Sequence, residues 1–416
     1  MTYPTLHPLR DLRENRGLED IAATTAAALE ACGLGARIVP GARIAITAGS
    51  RGITDIAGVL RAVAAFVRAR GGEPFVIPAM GSHGGGTAEG QVTILRELGI
   101  TETSIATQIH AQMDVVDIGT AGGIPVVCDA LAAAADGIII VARVKPHTDF
   151  TGTIESGILK MSAIGLGKAA GAKIYHSAFA RDGYERVIRA VSAVALERLT
   201  ILAGVAIVED NRGRTHTIEA SAAPDVVAME ERLLCLAREL MSTLPFPELD
   251  LLIVDEMGKN VSGTGMDTNV TGRATDGRSQ KVPTPLVKRL FVRDLTEASH
   301  GNATGIGLAD FCSQRLADKI DWQATYLNAL TAAQPAAARL PIVCPNDRFA
   351  VDNALVAAGI EDGAAARIAR IHNTLHMEAI YASPAALRDV TDRERYAAGD
   401  ECDALTFDQD SNLLPL

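Results

Sequence analysis

Residues 137–144 read GIIIVARV, an apolar run that is interrupted only by Arg143. A run of this kind is typical of a strand that helices cover on both faces of a parallel sheet. Outward from this segment, apolar runs alternate with stretches that repeat apolar residues at helical spacing. The runs predict strands at residues 43–48, 74–80 and 201–208, and the helical stretches lie at residues 55–70, 87–98, 155–166 and 182–199. The alternation predicts an α/β fold with mainly parallel sheets.

A second alternation follows a proline-bearing stretch. It begins with a strand at residues 249–254 (LDLLIV) and continues through a strand at 290–292, a helix at 310–319 and a strand at 341–344. Before it, residues 226–241 have helical periodicity and lead into Leu-Pro-Phe-Pro. We therefore predict an N-terminal α/β domain (1–222), a helical connector (223–248) and a C-terminal α/β domain (249–416), with an active-site cleft between the two domains.

The composition excludes several classes of protein. The chain has 416 residues, of which 48% are hydrophobic and 21% are charged, so it is not disordered, collagen-like or a small disulfide scaffold. Its 50 acidic and 39 basic residues give a net charge of −11 without any lysine or arginine run, so no nucleic-acid or membrane surface is expected. The cysteines are scattered, and no apolar segment resembles a signal peptide or a membrane span. We expect a soluble cytoplasmic protein.

Polar residues follow the first predicted strand, at the edge where open parallel sheets bind ligands. Ser50 and Arg51 stand between Gly49 and Gly52. An arginine in such a loop can hold a carboxylate or a phosphate through two parallel hydrogen bonds. The alternative is a solvated arginine, which is the usual state of a charged loop residue.

The loop after the second predicted strand reads GSHGGGT at residues 81–87 and leads directly into a helix. Gly84 and Gly85 allow close backbone approach at that helix N-terminus, whose N–H groups favour an anion. His83 in the same loop is a candidate general base. The alternative is a flexible connector, and no GK[ST] follows that would make the segment a P-loop.

Residues 145–176 carry the densest set of candidate residues. Lys145 and His147 follow the GIIIVARV strand. Lys160 lies on an otherwise apolar helical face, where a lowered pKa would make its amine a nucleophile or a covalent tether. The alternative is a lysine that extends its charged end into water. His176 is a candidate metal ligand. Several strand-end loops that carry Arg, His or Lys would converge on one cleft, which favours an enzyme.

The order of these residues resembles the nickel-dependent lactate racemase family. The resemblance rests on Ser50-Arg51, the loop at residues 81–87, Lys145-Pro146-His147, Lys160 and His176, and it covers mainly the N-terminal half of the chain. It implies a divergent member with two α/β domains and a nickel-pincer nucleotide as cofactor. It also implies a racemase or epimerase of a 2-hydroxy acid, which removes a hydride from the substrate and returns it.

The resemblance also implies a role for each residue. Lys160 would tether the cofactor, His176 would bind nickel, and His83 and His147 would be the acid/base pair. Cofactor contacts would further come from a set of small or cationic residues: Ser50, Arg51, Gly84, Gly85 and Lys145. Arg51 would also face the substrate carboxylate. The implied partners are the cofactor-synthesis enzymes, without which the cofactor can be missing, and a homodimer is compatible with the resemblance.

The C-terminal half departs from the lactate enzymes. Met266-Asp267-Thr268-Asn269 resembles the family's Leu-Asp-x-Asn stretch, but the Gln and Lys that follow it in the lactate enzymes are replaced here at about Gly272 and Asp276. We assign the substrate contacts to other polar residues: Lys259, Asn260, Arg273, His300 and Asn302. The substrate is therefore expected to be a sugar acid or another larger 2-hydroxy acid rather than lactate.

Other interpretations remain open. The chain could be a catalytically silent homologue that binds a nucleotide or a metal, or an oxidoreductase with a different cofactor. His372 and His376 are spaced i, i+4 on a predicted helix, as in zinc pairs, although no HExxH motif is present. Trp322 and Tyr326 have the same spacing and predict a packing pair.

Overall fold

The structure, a computed structural model, describes residues 1–14, 16–274, 285–399 and 403–416. Two compact units make up the chain. The N-terminal unit is Asn15–Met241, and the C-terminal unit combines Met1–Glu14 with Ser242–Leu416. Both are mixed α/β structures with mostly parallel sheets, as the sequence predicts.

The N-terminal unit is built around a parallel sheet. The chain opens with β1 (Thr5–Asp11) of the other unit, and the elements of the N-terminal unit then follow in chain order: α1 (Ile21–Ala31), β2 (Arg43–Ala48), α2 (Ile56–Ala69), β3 (Glu73–Pro78), α3 (Ala88–Glu97), α4 (Glu102–Ile105), β4 (Val115–Ala121), β5 (Ile124–Asp129), α5 (Ala130–Ala133), β6 (Gly137–Arg143), α6 (Ile158–Lys160), α7 (Lys168–Asp182), α8 (Tyr184–Arg198), β7 (Ile201–Glu209), β8 (Thr215–Ala222) and α9 (Val226–Leu240). The sheet order is β3-β2-β6-β7-β8, with only β8 antiparallel to its neighbour, and β4 and β5 form a separate hairpin.

Strand β6 shows why the GIIIVARV segment decides this fold. Alternate side chains of a strand point to opposite faces of its sheet. Ile138 and Ile140 pack into one core and Ile139 and Val141 into a second. All four are buried because helices cover both faces. The continuous apolar run is therefore the expected sequence of a central parallel strand.

The connection order of this sheet creates a switch point. From β2, the chain passes to β3 on one side, and β6 later adds to the other side of β2. Loops that leave two neighbouring parallel strands in opposite directions open a crevice at their carboxyl ends, where ligands bind in such sheets. The loops that follow β2 and β6 contain Arg51 and His147.

The C-terminal unit has a larger, mixed sheet. Its elements after β1 are β9 (Glu248–Met257), α10 (Thr268–Thr271), β10 (Leu286–Leu295), β11 (Phe311–Ser313), α11 (Gln314–Asp318), α12 (Trp322–Thr331), β12 (Ile342–Cys344), α13 (Asp347–Ala357), β13 (Ile368–Ile371), β14 (Ile380–Ala382), α14 (Pro384–Arg388), β15 (Tyr396–Ala398) and β16 (Asp403–Ala404). The order is β12-β11-β10-β9-β13-β14-β1-β15, with β16 beside β1. The strands from β12 to β13 are parallel, whereas β14, β1 and β15 run antiparallel to their neighbours.

The compact units differ from the predicted division in two places. Helix α9, predicted as a connector, belongs to the N-terminal unit because Val226, Leu233 and Leu234 are buried in the same core as β6. Strand β1, predicted as part of the N-terminal domain, instead pairs with β14 and β15 of the C-terminal unit. Pairing partners this far away in sequence leave no local signal.

Two predictions of helices in the C-terminal unit are wrong. Residues 310–319 begin with strand β11, because Phe311 and Cys312 are buried between β10 and β12, and only α11 is helical. His372 and His376 lie in the non-helical turn after β13 rather than on one helix face. In contrast, Trp322 and Tyr326 do pack on each other, with ring centroids 5.4 Å apart.

No helix among the described residues is long and apolar enough to cross a membrane. The cysteines within those residues are free thiols: Cys32, Cys128, Cys235, Cys312 and Cys344.

Asp347 at the start of α13 is a buried ion-pair partner, and we expect its removal to destabilise the C-terminal unit. It is 0% exposed, and its carboxylate contacts Arg293 at 2.8 Å and Arg315 at 2.7 Å. Asp347→Asn should lower the free energy of unfolding by about 1–3 kcal/mol, because Arg293 and Arg315 lose a charged acceptor although Arg293 keeps its pair with Asp255 at 2.9 Å. Urea unfolding followed by the fluorescence of Trp322, the single tryptophan, reports on this unit.

The control for this measurement is Lys319→Gln, which breaks an ion pair with Asp294 whose side chains are 42% and 27% exposed. Exposed pairs contribute at most about 1 kcal/mol, so this variant should unfold near the wild-type midpoint. Equal effects of the two substitutions would contradict a structural role for Asp347.

Candidate functional site

Arg51 and His83 contact each other at the carboxyl edge of the N-terminal sheet. Arg51 follows β2 and His83 follows β3, and Arg51 Nη2 lies 3.2 Å from His83 Nε2. His83 Nδ1 lies 2.7 Å from the Met80 carbonyl oxygen, which can only accept. Nδ1 therefore carries the proton, and Nε2 is left with a lone pair that accepts from Arg51.

The Arg51 guanidinium is the positive end of this pair. Among the described residues it has no acidic partner, and the pKa of Arg51 is lowered by burial and by the nearby Arg143. Arg143 itself is neutralised by an ion pair with Glu209. A guanidinium without a carboxylate partner beside a strand end favours an anionic ligand.

His147 and Lys160 form the second contact of the site. His147 Nδ1 accepts from the backbone N–H of Asp149 at 3.0 Å, so the proton of a neutral ring resides on Nε2. Lys160 Nζ lies 2.5 Å from Nε2. Nε2–H can donate to Nζ in the fraction of molecules in which the Lys160 amine is neutral. Burial lowers the pKa of Lys160 to about 8, and the positive charges of Arg51 and Lys145 act in the same direction.

His176 on α7 completes the set of titratable groups. Burial and the nearby Lys160 lower its pKa to about 4, so the imidazole is neutral and keeps a lone pair at neutral pH. No group of three or more His, Cys, Asp or Glu side chains among the described residues could hold a metal ion. A metal at His176 would therefore need most of its ligands from a bound molecule.

Aromatic rings line the space beside His147 and His176. The His147 ring centroid is 4.6 Å from that of Phe150, and Phe150 stacks on Tyr184 at 4.9 Å. Tyr184 stacks in turn on Phe179. The rings of Phe179 and His176 are nearly perpendicular, with their centroids 5.4 Å apart. This wall fixes the orientation of both imidazoles, because neighbouring rings restrict their rotation.

Two carboxylates that the sequence analysis missed organise the backbone of the site. Glu155 is buried, accepts from the backbone N–H groups of His147 and Gly152, and pairs with Arg238 at 2.6 Å. It thus fixes the loop that carries His147. Only the contacts in the folded chain identify Glu155 as part of the site, because a lone glutamate before a helix has no distinctive sequence signal.

Glu230 of α9 is the second missed carboxylate. It is 0% exposed and accepts from the Leu159 backbone N–H at 2.9 Å, at the start of the helix that carries Lys160. Burial raises the pKa of Glu230 to about 7. Gly157 allows this approach, because a Cβ there would lie 2.5 Å from the Glu230 carboxyl carbon.

The glycine loop has the backbone that its sequence predicts. Gly84 and Gly85 both have φ of 67°, in the left-handed region, and Thr87 caps α3 by accepting from the Gly90 N–H. Ser50 lies next to Gly49, where a Cβ would lie 3.0 Å from Met161 of the π-helical turn Met161–Gly165. Ser50, Gly84 and Gly85 therefore lie on loops at the same sheet edge as Arg51 and His83.

Gly84→Ala should destabilise the N-terminal unit more than Gly85→Ala. A Cβ at Gly84 would lie 2.5 Å from the Gly90 carbonyl carbon, whereas one at Gly85 would meet nothing within 4 Å. Both variants carry about 1–2 kcal/mol of left-handed strain, and the Gly84 clash adds about 1–3 kcal/mol. Thermal unfolding by circular dichroism of the two variants checks this, and equal midpoints would show that α3 does not approach Gly84 this closely.

The predicted substrate residues of the C-terminal unit lie on loops at the carboxyl ends of β9 and β10. Lys259 and Asn260 follow β9, and both meet the loop after β10: the Lys259 N–H donates to Ser299 Oγ at 2.9 Å, and Thr296 Oγ1 donates to Asn260 Oδ1 at 2.6 Å. His300 in that second loop is exposed and has φ of 46°.

Arg273 and Asn302 have structural contacts instead. Arg273 forms an ion pair with Asp310 at 2.6 Å and donates to the Lys288 carbonyl. Asn302 Oδ1 accepts from the N–H and hydroxyl of Thr304. The substrate roles given to these residues stay predictions, and Asp276 lies outside the described residues.

Comparison with known proteins adds information on the fold. No family model and no curated protein matches the chain. The structure is similar to that of the lactate racemase apoprotein from Thermoanaerobacterium thermosaccharolyticum, with a TM-score of 0.54 and 13% sequence identity over 88% of this chain and 94% of that chain. At this identity the similarity is one of fold: the chain has a lactate racemase-like α/β architecture.

Proposed function

We propose that the chain is a racemase or epimerase of a 2-hydroxy acid. The observation that carries the proposal is that His83 and His147 lie at one sheet edge, His83 beside the Arg51 guanidinium and His147 beside the Lys160 amine. Inverting a hydroxylated carbon needs one group to take the hydroxyl proton and one to give a proton back. Each imidazole can take a hydroxyl proton at a nitrogen lone pair and return it from the imidazolium form.

The residues of the site also fit the nickel-pincer nucleotide that the sequence resemblance implies. Lys160 has an amine with a lowered pKa, and His176 offers one neutral imidazole where no complete protein metal site exists among the described residues. Arg51 and Lys145 supply positive charge for a phosphate. When bound, such a cofactor supplies the hydride acceptor that this chemistry requires.

Arg51 is the proposed anchor for the substrate carboxylate. Its guanidinium already donates to His83 Nε2 at 3.2 Å, so a carboxylate that it holds lies within reach of that imidazole. His83 Nε2 then accepts the hydroxyl proton of one enantiomer. His147 is the proposed base for the other enantiomer in the tautomer whose Nε2 has a lone pair, which forms when Nδ1 takes the proton and gives up the Asp149 N–H.

The proposed substrate is a sugar acid or another larger 2-hydroxy acid rather than lactate. The loss of the Gln and Lys of the lactate enzymes, whose positions fall at about Gly272 and Asp276, supports this choice, and Lys259, Asn260 and His300 are the proposed substrate contacts in the C-terminal unit. The cofactor-synthesis enzymes are proposed as partners.

Attachment of the cofactor to the chain, called loading below, tests the proposal. The chain is produced together with the cofactor-synthesis enzymes, and its intact mass, peptide map and nickel content are measured. We expect a mass increment on Lys160 and equimolar nickel, and neither in Lys160→Met. An unmodified chain from the same cells would favour a catalytically silent homologue.

A further inference from the structure

Lys168, at the first position of α7, is a fully buried cation outside the site described above. Its side chain is 0% exposed, as is that of its ion-pair partner Asp129, 2.8 Å away. Lys168 Nζ also donates to the Pro78 carbonyl at 2.6 Å and lies 3.4 Å from Gln91 Oε1. The ammonium group thus has one charge partner and two hydrogen-bond acceptors.

This arrangement is costly to the fold. Taking two charges out of water costs more than their attraction returns in many proteins. The backbone of Lys168 is also left-handed, with φ of 53°, a conformation that L-residues other than glycine rarely adopt. Strained residues of this kind persist where the surrounding structure needs their side chain in one place, and they concentrate at functional sites.

The contacts of Lys168 lead to the loop that carries His83. Pro78 is the last residue of β3, directly before that loop. Gln91 is also 0% exposed, and its Nε2 donates to the Gly81 carbonyl at 2.9 Å and lies 3.4 Å from the His83 carbonyl. Lys168 thus fixes the orientation of the Gln91 amide, which holds the loop from the inside.

The same residue connects this loop to the segment behind Lys160. Lys168 follows the π-helical turn that begins at Met161, and it opens the helix that carries His176. Its partner Asp129 accepts from the Leu131 N–H at 2.7 Å, and the Asp129 backbone N–H donates to the Leu166 carbonyl at 2.7 Å. One buried ammonium group therefore joins the elements that carry His83, Lys160 and His176.

We propose that Lys168 is a positioning residue, which acts through Gln91 to hold the His83 imidazole in the orientation in which Nδ1–H meets the Met80 carbonyl. The proposal rests on the proposed function only in treating His83 as a catalytic base. The orientation itself is a property of the chain without cofactor or substrate.

The test is ¹⁵N NMR of histidine-labelled, unloaded full-length chain, with the His83 signals identified from a His83→Gln spectrum. In the wild type we expect a protonated Nδ1 and an unprotonated Nε2. Gln91→Leu breaks the link to the loop and leaves the Lys168–Asp129 pair intact. The double variant Lys168→Met, Asp129→Asn removes the pair without leaving an unpaired charge.

Both variants should lose the distinct Nδ1–H and Nε2 signals of His83 and show the averaged signals of two exchanging tautomers. Lys173→Met, which changes an exposed lysine on the same helix, should keep the wild-type signals. A purely structural role for Lys168 predicts lower thermal stability with unchanged His83 signals, and that result would overturn the proposal. If the double variant does not fold, Gln91→Leu alone decides.

Discussion

His147→Gln and His83→Gln should each lower turnover of the 2-hydroxy acid by the loaded protein by at least ~10²-fold, because a positioned general acid or base contributes about 10²–10⁴ to such a rate. Glutamine keeps a polar side chain of similar reach but cannot exchange a proton at neutral pH. The measurement is kcat in both directions of the racemisation.

Two controls separate the loss of a proton carrier from the loss of the site. Both variants should still load, with the same mass increment and nickel content as the wild type, because neither ring is assigned to hold the cofactor. His216→Gln, which changes a histidine on β8 that contacts Thr217, should keep wild-type kcat. Wild-type turnover in either loaded site variant would remove that histidine from the mechanism.

Lys160 of the unloaded chain should react with an acylating reagent, acetyl N-hydroxysuccinimide ester, far faster than the surface lysines. With its pKa at about 8, about a tenth of the side chain is neutral at pH 7, whereas a lysine of ordinary pKa is neutral at roughly one part in 3,000. Peptide mapping after limited labelling measures the rate at each lysine, with the exposed Lys173 as internal reference.

The pH dependence of the labelling rate shows whether the pKa of Lys160 is lowered. A lowered pKa makes the reactive amine available as pH rises through about 8, so labelling of Lys160 should level off above that pH. His147→Gln should shift the Lys160 midpoint upwards, because the neutral amine loses the Nε2–H that donates to it. A Lys160 midpoint near 10.5 in the wild type would contradict a neutral amine.

The sequence alone predicts the sheet of the N-terminal unit and the location of its main site residues. Apolar runs identify buried parallel strands, and their carboxyl ends identify Arg51, His83 and His147 without any structure. These predictions depend on local patterns only. The strand predictions are confirmed because strand periodicity is a property of neighbouring residues, whereas the roles of the three site residues stay predictions.

The supporting contacts of the site could not be predicted in this way. Glu230 meets the Lys160 helix across 71 residues of sequence, and Lys168 reaches Gln91 across 77. Both side chains sit on ordinary helical stretches, and only packing brings them to the site. The same limit applies to β1, whose partners on β14 and β15 are nearly a whole chain length away.

The C-terminal unit shows a second limit of prediction from the sequence. Arg273 is assigned a substrate contact from residue type and position, and the structure adds an ion pair with Asp310 that the sequence does not show, while its substrate role stays a prediction. Residue type and spacing predict which groups are present and not which are already paired. His372 and His376 fail for a related reason, because an i, i+4 spacing places two imidazoles together only if the segment is a helix.

The central claim is that this sheet edge inverts the carbon that bears the hydroxyl group of a 2-hydroxy acid. The most direct measurement follows the stereochemistry of single enantiomers in a panel of 2-hydroxy acids, including lactate and sugar acids, with loaded protein whose nickel content is known. The account predicts conversion of at least one acid other than lactate to its mirror-image or epimeric form, and loss of that conversion in His83→Gln. A fully loaded protein that leaves every acid unchanged, or that turns over lactate alone, would contradict it.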